Sequence, residues 1–419
     1  MIESKHYIER RKKIFSELKN NSIAILHSGF PVFKSADSCH PFYTNNNFYY
    51  LTGIEQTDVT LIIGKFEEKY KELLFIEEID EVMAKWVGRT LSKEEASNIS
   101  GVDTKNIIYN DSFNRILQNM LQPTRHFVEV AENVYLDLEK RNIPLYDTFA
   151  LNLSKSLKQD YPSINIENLY ASMLRLRMVK SEEEVEIIKE SIATTKRAIY
   201  NVMDNSKTHS SECLAEAYHN FILTKENKKS SFGNIIASGK NATVLHYEDN
   251  NSEIKKDSLL LMDVGCYTEH YSSDISRTFP VSGKFTKRQK EVYEVVLDCN
   301  KKCIEYAKAG ISWKEINEYA RDILAKGCIK LGLITDEKDV SRYYYHSIGH
   351  SLGLDVHDPS IDNLGLLEGM VITIEPGLYI EEEEIGIRIE DNIWIKKDKS
   401  INLSSEIIKD VEDIEKYMN

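Results

Sequence analysis

The sequence predicts two domains, an α/β domain at the N-terminus and an α+β domain behind it. The chain has 419 residues, and a single hydrophobic core rarely grows that large. The first ~170 residues interleave strand-like runs with helical periodicity, as α/β domains do. The last ~240 residues alternate long helices with pairs of strands, as α+β domains do. Tyr161-Pro162-Ser163 breaks the periodicity between the two patterns, so the domains read as 1–170 and 171–419.

In chain order, residues 4–20 form a charged helical segment, and Ser22–His27 reads as an apolar strand. Further strands are predicted at Phe48–Leu51, Val59–Ile63, Leu73–Ile76 and Phe127–Val130, with helices at Asp80–Trp86 and Phe113–Leu121. Ser181 followed by Glu184 forms a capping box ahead of a helix whose Val185, Ile188, Ile192 and Ile199 share one face. Helices are predicted over 181–203, 211–225, 286–308 and 313–331. Two strand pairs complete the pattern, 258–265 with 271–279 and 370–380 with 385–395. No fixed repeat or low-complexity tract is present.

Lys and Arg number 53 against 67 Asp and Glu, a net charge of −14. A chain this acidic repels phosphate backbones, which argues against a nucleic-acid partner. The segment MIESKHYIERRKKIF has no apolar core of the kind a signal peptide needs, and no run is long and apolar enough to span a membrane. The six cysteines form no CxxC, and Cys299 and Cys303, four apart on a predicted helix, read as a reduced pair in the core. A cytoplasmic location is expected.

The segment SLLLMDVGCYTEHYSSDISRTFP carries Asp263 at the end of an apolar strand and Asp274 on the next. A turn near Thr268-Glu269 would set the two aspartates directly opposite each other on one face. Two carboxylates so close repel unless a cation separates them; the alternative is that one of them faces solvent or belongs to the turn. HSIGHSLGLDVHD places His346, His350 and His357 within twelve residues. Single histidines are ordinarily surface or core residues, but three among glycines suit a divalent metal. MVITIEPGLY places Glu375 at a strand end. GIRIEDNIWI puts Arg388, Glu390 and Asn392 on one face, which is either a functional face or an exposed one. Two Asp, two Glu and at least one His make an oxygen-rich set suited to a pair of Mn, Co, Fe or Zn ions ~3.5–4 Å apart, the arrangement of metallohydrolases.

The order Asp263, Asp274, His350, Glu375, Glu390 resembles that of the pita-bread metallopeptidases. The wording around it resembles aminopeptidase P, the Xaa-Pro aminopeptidases: ASGKNATVLHY (237–247), MDVG (262–265), SSDISRTFP (272–280), GHSLGLDVHD (349–358), TIEPGLY (373–379) and GIRIEDN (386–392). KSADSCHPFYTNNNFYYLTG (34–53) and KWVGRTL (85–91) extend the resemblance into the first domain. The segment Cys39–Asn45 departs from the pattern by lacking an Arg-Gln pair found in some bacterial members. The His246-Tyr247 pair resembles aminopeptidase P more than the prolidases, which share both domains.

The resemblance implies a pita-bread catalytic domain and hydrolysis of the bond before a proline at the second position of a peptide. It implies two divalent ions, expected to be Mn(II) with Co(II), Zn(II) or Fe(II) as alternatives. In that reading Asp263 chelates one ion, Asp274 and Glu390 bridge both, and His350 and Glu375 complete the second. Glu375 acts as general base on a bridging water or hydroxide. His246 and His357 hydrogen-bond the scissile carbonyl or the oxyanion, His346 lines the proline pocket, and Arg388 orients a ligand carboxylate. Asp37 and Trp86 either approach a site across a subunit interface or stabilise the fold. A homodimer or homotetramer is expected by analogy. Two other readings are a prolidase restricted to Xaa-Pro dipeptides and a non-catalytic pita-bread binding module, whose metal-free examples lack the ligand set.

Overall fold

The structure is a computed structural model describing residues 2–123, 129–140, 147–208 and 210–419. Phe127 and Val128 of the strand predicted at Phe127–Val130 lie outside the described residues, and Glu129 and Val130 belong to no strand. The chain forms two compact units, Met1–Leu176 and Arg177–Asn419.

The first unit is built on a six-stranded sheet. Its spatial order is Ile107–Tyr109, Lys69–Ile76, Thr60–Phe66, Ser22–His27, Asn133–Leu136 and Asn165–Asn168. The central strand Ser22–His27 pairs antiparallel with Thr60–Phe66 and parallel with Asn133–Leu136. Covered on both faces, it is buried along its whole length, which explains why it reads as an unbroken apolar run. Ile23, Ile25, Ile62, Phe75, Val134 and Leu157 form the core of this unit.

Two local expectations fail. Phe48–Leu51 is not a strand but part of the helix Asn46–Thr52. Its aromatic run is buried on every side and so shows no helical period. The helix is set by its ends instead. The Asn45 side chain accepts from Phe48 N, and Gly53 closes the helix in the left-handed conformation at φ 67°. The helix predicted over Asp80–Trp86 is a turn followed by the short helix Ala84–Val87.

The second unit packs helices Glu182–Asn205, Glu212–Lys225, Lys287–Tyr306 and Trp313–Lys330 with short antiparallel strands. The capping box forms as the sequence predicts: Ser181 Oγ accepts from Glu184 N, and Glu184 reaches back to Ser181 N. Val185, Ile188, Ile192 and Ile199 are all buried. Cys299 and Cys303 are free, buried thiols with sulfurs 3.9 Å apart. One sheet orders Ile235–Ser238, Leu259–Val264 and Ile275–Pro280. A second orders Val371–Ile374, Asp391–Ile395 and Ser400–Asn402, and Gly377–Ile380 pairs separately with Ile385–Arg388.

His219, fully buried on the helix Glu212–Lys225, is pushed down to about 4 by burial. The folded chain therefore holds it neutral while the unfolded chain takes up a proton below about 6.5. Its contribution is complete above that pH and is lost as pH falls toward 4. Chemical unfolding of His219→Leu and of the parent at pH 7 and pH 4.5 checks this. The parent should lose up to roughly 3 kcal/mol more than the variant over that span.

Candidate metal centre

Two antiparallel hairpins are each interrupted, and three of the four acids, Asp274, Glu375 and Glu390, sit at the interruptions. In the first, Leu259–Val264 pairs with Ile275–Pro280 so that Asp263 faces Ser276. The predicted register, with Asp263 directly opposite Asp274, is incorrect. The turn is Glu269-His270, both at positive φ, one residue beyond the expected position. The slip places Asp274 diagonally from Asp263, two residues beyond Ser276, which keeps both on one face. Strand pairing lapses at Gly265 and Ser273-Asp274. Asn392 repairs the gap, accepting from Asp274 N (3.1 Å) and donating to Asp274 O (2.6 Å).

In the second hairpin the ladder runs from Val371↔Trp394 to Ile374↔Asp391 and resumes at Gly377↔Arg388. Glu375 and Glu390 occupy the break. Their amides leave the hairpin, Glu375 N donating to Ile348 O (2.8 Å) and Glu390 N to Ser276 O (3.0 Å). The second of these bonds fastens one hairpin to the other.

His350 enters from a loop that lies against Thr373. A Cβ on Gly349 would stand 2.1 Å from Thr373 O, so only glycine fits there. His350 Nδ1 donates to Ser351 O (3.0 Å), which leaves the Nε2 lone pair free to act as a ligand. Nε2 lies 3.4 Å from Asp274 Oδ2 and 3.6 Å from Glu375 Oε1. Ligand atoms of Asp274, His350 and Glu390 all lie within 4.8 Å of one another. The loop is anchored by Asp358, fully buried between Arg177 (2.6 Å) and Lys180 (2.9 Å). Asp358 N also donates to Ser351 O (2.8 Å).

The charges do not balance. Two other buried acids of this unit are matched by cations: Asp358 has Arg177 and Lys180, and Asp391 has Arg277 and Lys409. Burial pushes both acids up, but their cations outweigh it and leave them below the carboxylate range. The four acids of the cluster share one arginine, Arg388 on Asp263 (2.7 Å), and the imidazoles of His346 and His350. Burial, then Asp263 and Glu375, raises Asp274 well above its ordinary value, and burial with Asp274 and Glu375 does the same to Glu390. Burial also raises Glu375, partly opposed by His350. Oδ1 of Asp263 and Oδ1 of Asp274 are buried without a hydrogen-bond partner among the described residues. Orphaned, crowded carboxylate oxygens beside a free imidazole nitrogen fit divalent cations.

A hydrogen-bonded layer surrounds the acids. Arg388 donates to Asp263 Oδ2, to Ser276 Oγ (2.9 Å) and to the Tyr379 hydroxyl (3.0 Å), and Ser276 donates to Glu390 Oε2 (2.8 Å). Tyr379 in turn meets His346 Nε2 at 2.9 Å while His346 Nδ1 donates to Ser347 O. The directions are fixed: Tyr379 accepts from Arg388 and donates to a neutral His346. Burial and Arg388 push His346 down to about 4. His357, its ring 4.0 Å from that of His350, is likewise pushed down to about 4 by partial burial, His350 and His246. His246 is exposed, on a loop whose Leu245 and Tyr247 pack against the cluster that contains Tyr379. Asp37 and Trp86 belong to the first unit. Asp37 is exposed between the short strands Phe33–Ser35 and Ser38–Cys39, and Trp86 is 81% exposed on Ala84–Val87. Sequence reasoning missed Tyr379, Ser276 and Asp358. Ser276 was discoverable from the hairpin register, while Tyr379 carries no signal beyond lying in TIEPGLY.

The sequence profile of metallopeptidase family M24 matches residues 186–397, and that of the aminopeptidase P N-terminal domain matches residues 7–128. The Xaa-Pro aminopeptidase of Haemophilus influenzae is 31% identical over alignments covering 100% of this chain and 98% of that protein. Among solved structures, a candidate aminopeptidase P from Bacillus anthracis superposes with a TM-score of 0.95 at 45% identity, covering 100% of this chain and 98% of the other. Escherichia coli aminopeptidase P with the inhibitor Pro-Leu gives 0.90 at 28% identity, with the same coverage. The chain belongs to metallopeptidase family M24. Its second unit has the pita-bread α+β fold of that family, and its first is the α/β domain of aminopeptidase P.

The charge imbalance predicts how the chelated protein behaves. Groups raised on folding cost stability as pH climbs above their unfolded values of about 4. Calorimetry at pH 7 should therefore show chelated Asp274→Asn melting above the chelated parent. Mn(II) should raise the parent midpoint and leave the variant nearly unchanged. A parent indifferent to every divalent ion would count against the centre.

Proposed function

We propose that this protein is a metal-dependent aminopeptidase that hydrolyses the bond between an N-terminal residue and a following proline. The observation that carries the reading is the cluster of four acids, Asp274 and Glu390 buried and Asp263 and Glu375 partly buried, with one free imidazole nitrogen and a single arginine among them. The similarity to Xaa-Pro aminopeptidases along the whole chain supports the substrate class.

Asp263, Asp274, His350, Glu375 and Glu390 would hold two divalent ions, with Mn(II) favoured by oxygen-rich ligation and one imidazole. Bound there, two ions would lower the pKa of a water and polarise the scissile carbonyl. Glu375, whose Oε1 lies 3.6 Å from His350 Nε2, takes the proton from the attacking water and passes it toward the leaving proline nitrogen. His357 is neutral at pH 7 and, with His246, offers an N–H to the carbonyl oxygen as it gains charge. Arg388 and Ser276 hold Asp263 and Glu390 in place, as outer hydrogen bonds on ligands do. Tyr379 fixes the ring of His346, which lines the pocket for proline. We assign the catalytic role to the domain 171–419 and a supporting role to 1–170, with Asp37 and Trp86 either at a subunit boundary of a dimer or tetramer or stabilising the fold. Six free thiols support a reducing, cytoplasmic location, and no helix among the described residues is long and apolar enough to cross a membrane.

Glu375→Gln should retain bound metal and lose nearly all turnover; full activity in that variant removes the base assignment. His357→Ala should lower kcat by ~10²-fold, the scale of one lost oxyanion donor, whereas a change in KM alone would make it a ground-state contact. Steady-state hydrolysis of Gly-Pro-Pro and Gly-Pro, with Mn(II) restored after chelation, separates this activity from a prolidase. The tripeptide should be the substrate; cleavage of the dipeptide alone contradicts the proposal.

A further inference from the structure

Glu212, at the first turn of the helix Glu212–Lys225, is completely buried. Unlike Asp358 and Asp391, it has no lysine or arginine within ion-pair distance among the described residues. Uncharged donors replace the cation. Oε1 accepts from Ser238 N (2.8 Å), Ser238 Oγ (2.9 Å) and Asn241 Nδ2 (3.1 Å), and Oε2 accepts from the Tyr247 hydroxyl (2.8 Å) and Ser252 N (3.0 Å). Five donors aimed at one side chain require a group that only accepts, which among isosteres is carboxylate and not amide.

These donors come from the two ends and the middle of one loop, residues 238–252. Its partly buried Leu245 and Tyr247 pack against the cluster of Ala242, Leu261 and Tyr379, and His246 between them is exposed. Alternate residues are thus tied down, and the histidine is turned the other way. The loop has other anchors, since the Tyr345 hydroxyl donates to Thr243 O (2.8 Å) and Asn250 accepts from Ile236 N (2.9 Å) and donates to Asn234 O (2.8 Å), but these lie outside the stretch from His246 to Asp249, which is in no strand or helix.

We propose that Glu212 is a positioning residue for the reaction: its carboxylate gathers the 238–252 loop and thereby fixes His246 beside the carboxylate cluster. The inference rests on the peptidase reading and on the role given to His246 there. A ring displaced by about 1 Å from its productive place costs ~10²-fold in rate, so an acid remote from the chemistry acts through that one side chain.

The test is a double-mutant cycle on the full-length, Mn(II)-loaded protein with Gly-Pro-Pro as substrate. Glu212→Gln, His246→Ala and the double variant are compared for kcat, KM and bound metal, and hydrogen exchange is followed across 238–252. Glu212→Gln should lower kcat by about 10²-fold with KM and metal content little changed. Adding it to His246→Ala should lower kcat less than about twofold further, the ordinary error of additivity. Exchange should quicken in 238–252 and stay unchanged in 348–358. Should Glu212→Gln fold poorly, Tyr247→Phe removes one of the five donors and should show the same non-additivity at smaller size. Multiplying losses in the double variant, or unaltered exchange in the loop, would overturn the positioning role and leave the peptidase reading intact. Full activity in His246→Ala would instead remove that histidine from the reaction and the catalytic part of this proposal with it.

Discussion

Four carboxylates crowded together, two buried and two partly buried, are the constraint on which the second unit depends. Burying a single unpaired charge is costly, and crowding four acids beside one arginine is possible only if protons or cations make up the difference. The domain shows that it can pair buried acids when pairing is the purpose. Asp391 follows Glu390 directly, yet it has both Arg277 and Lys409, while Glu390 has a serine hydroxyl and acidic neighbours. Two adjacent acids with opposite surroundings indicate that the lack of cations at Glu390 is not imposed by its place in the chain.

The backbone serves this arrangement. Both hairpins keep their overall register across an interruption, and each interruption delivers an acid: Asp274 beside the end of one, Glu375 and Glu390 within the other. A continuous ladder would send the amides of Glu375 and Glu390 to each other's strand. Here they bond to Ile348 and Ser276, which ties the histidine loop and the first hairpin to the second. The residues that close the gaps are polar and buried: Asn392 on the backbone of Asp274, Thr373 on His350. Such groups stabilise only when every partner is present, so the fold and the cluster depend on each other.

The sequence made the ligand types and the faces visible, because period-2 patterning survives a change of register by two residues. Asp263 and Asp274 were assignable to one face, although the turn was placed a residue early. The turn uses Glu269 and His270 at positive φ where glycine or asparagine would have announced it. The helix Asn46–Thr52 was hidden for a related reason: burial on all sides erases the period that separates helix from strand. The outer layer was least legible. Tyr379 joining His346 to Arg388, Asp358 seated between Arg177 and Lys180, and Glu212 under the 238–252 loop all join residues from 9 to 181 positions apart. No local pattern encodes such pairs.

The central claim is that the cluster is completed by cations. The most direct measurement is crystallography of the Mn(II)-soaked protein with data collected on both sides of the manganese absorption edge. The account predicts two anomalous peaks ~3.5–4 Å apart, touching the carboxylate oxygens and His350 Nε2. A well-ordered site with no peak, its acids protonated and hydrogen-bonded to one another, would contradict it.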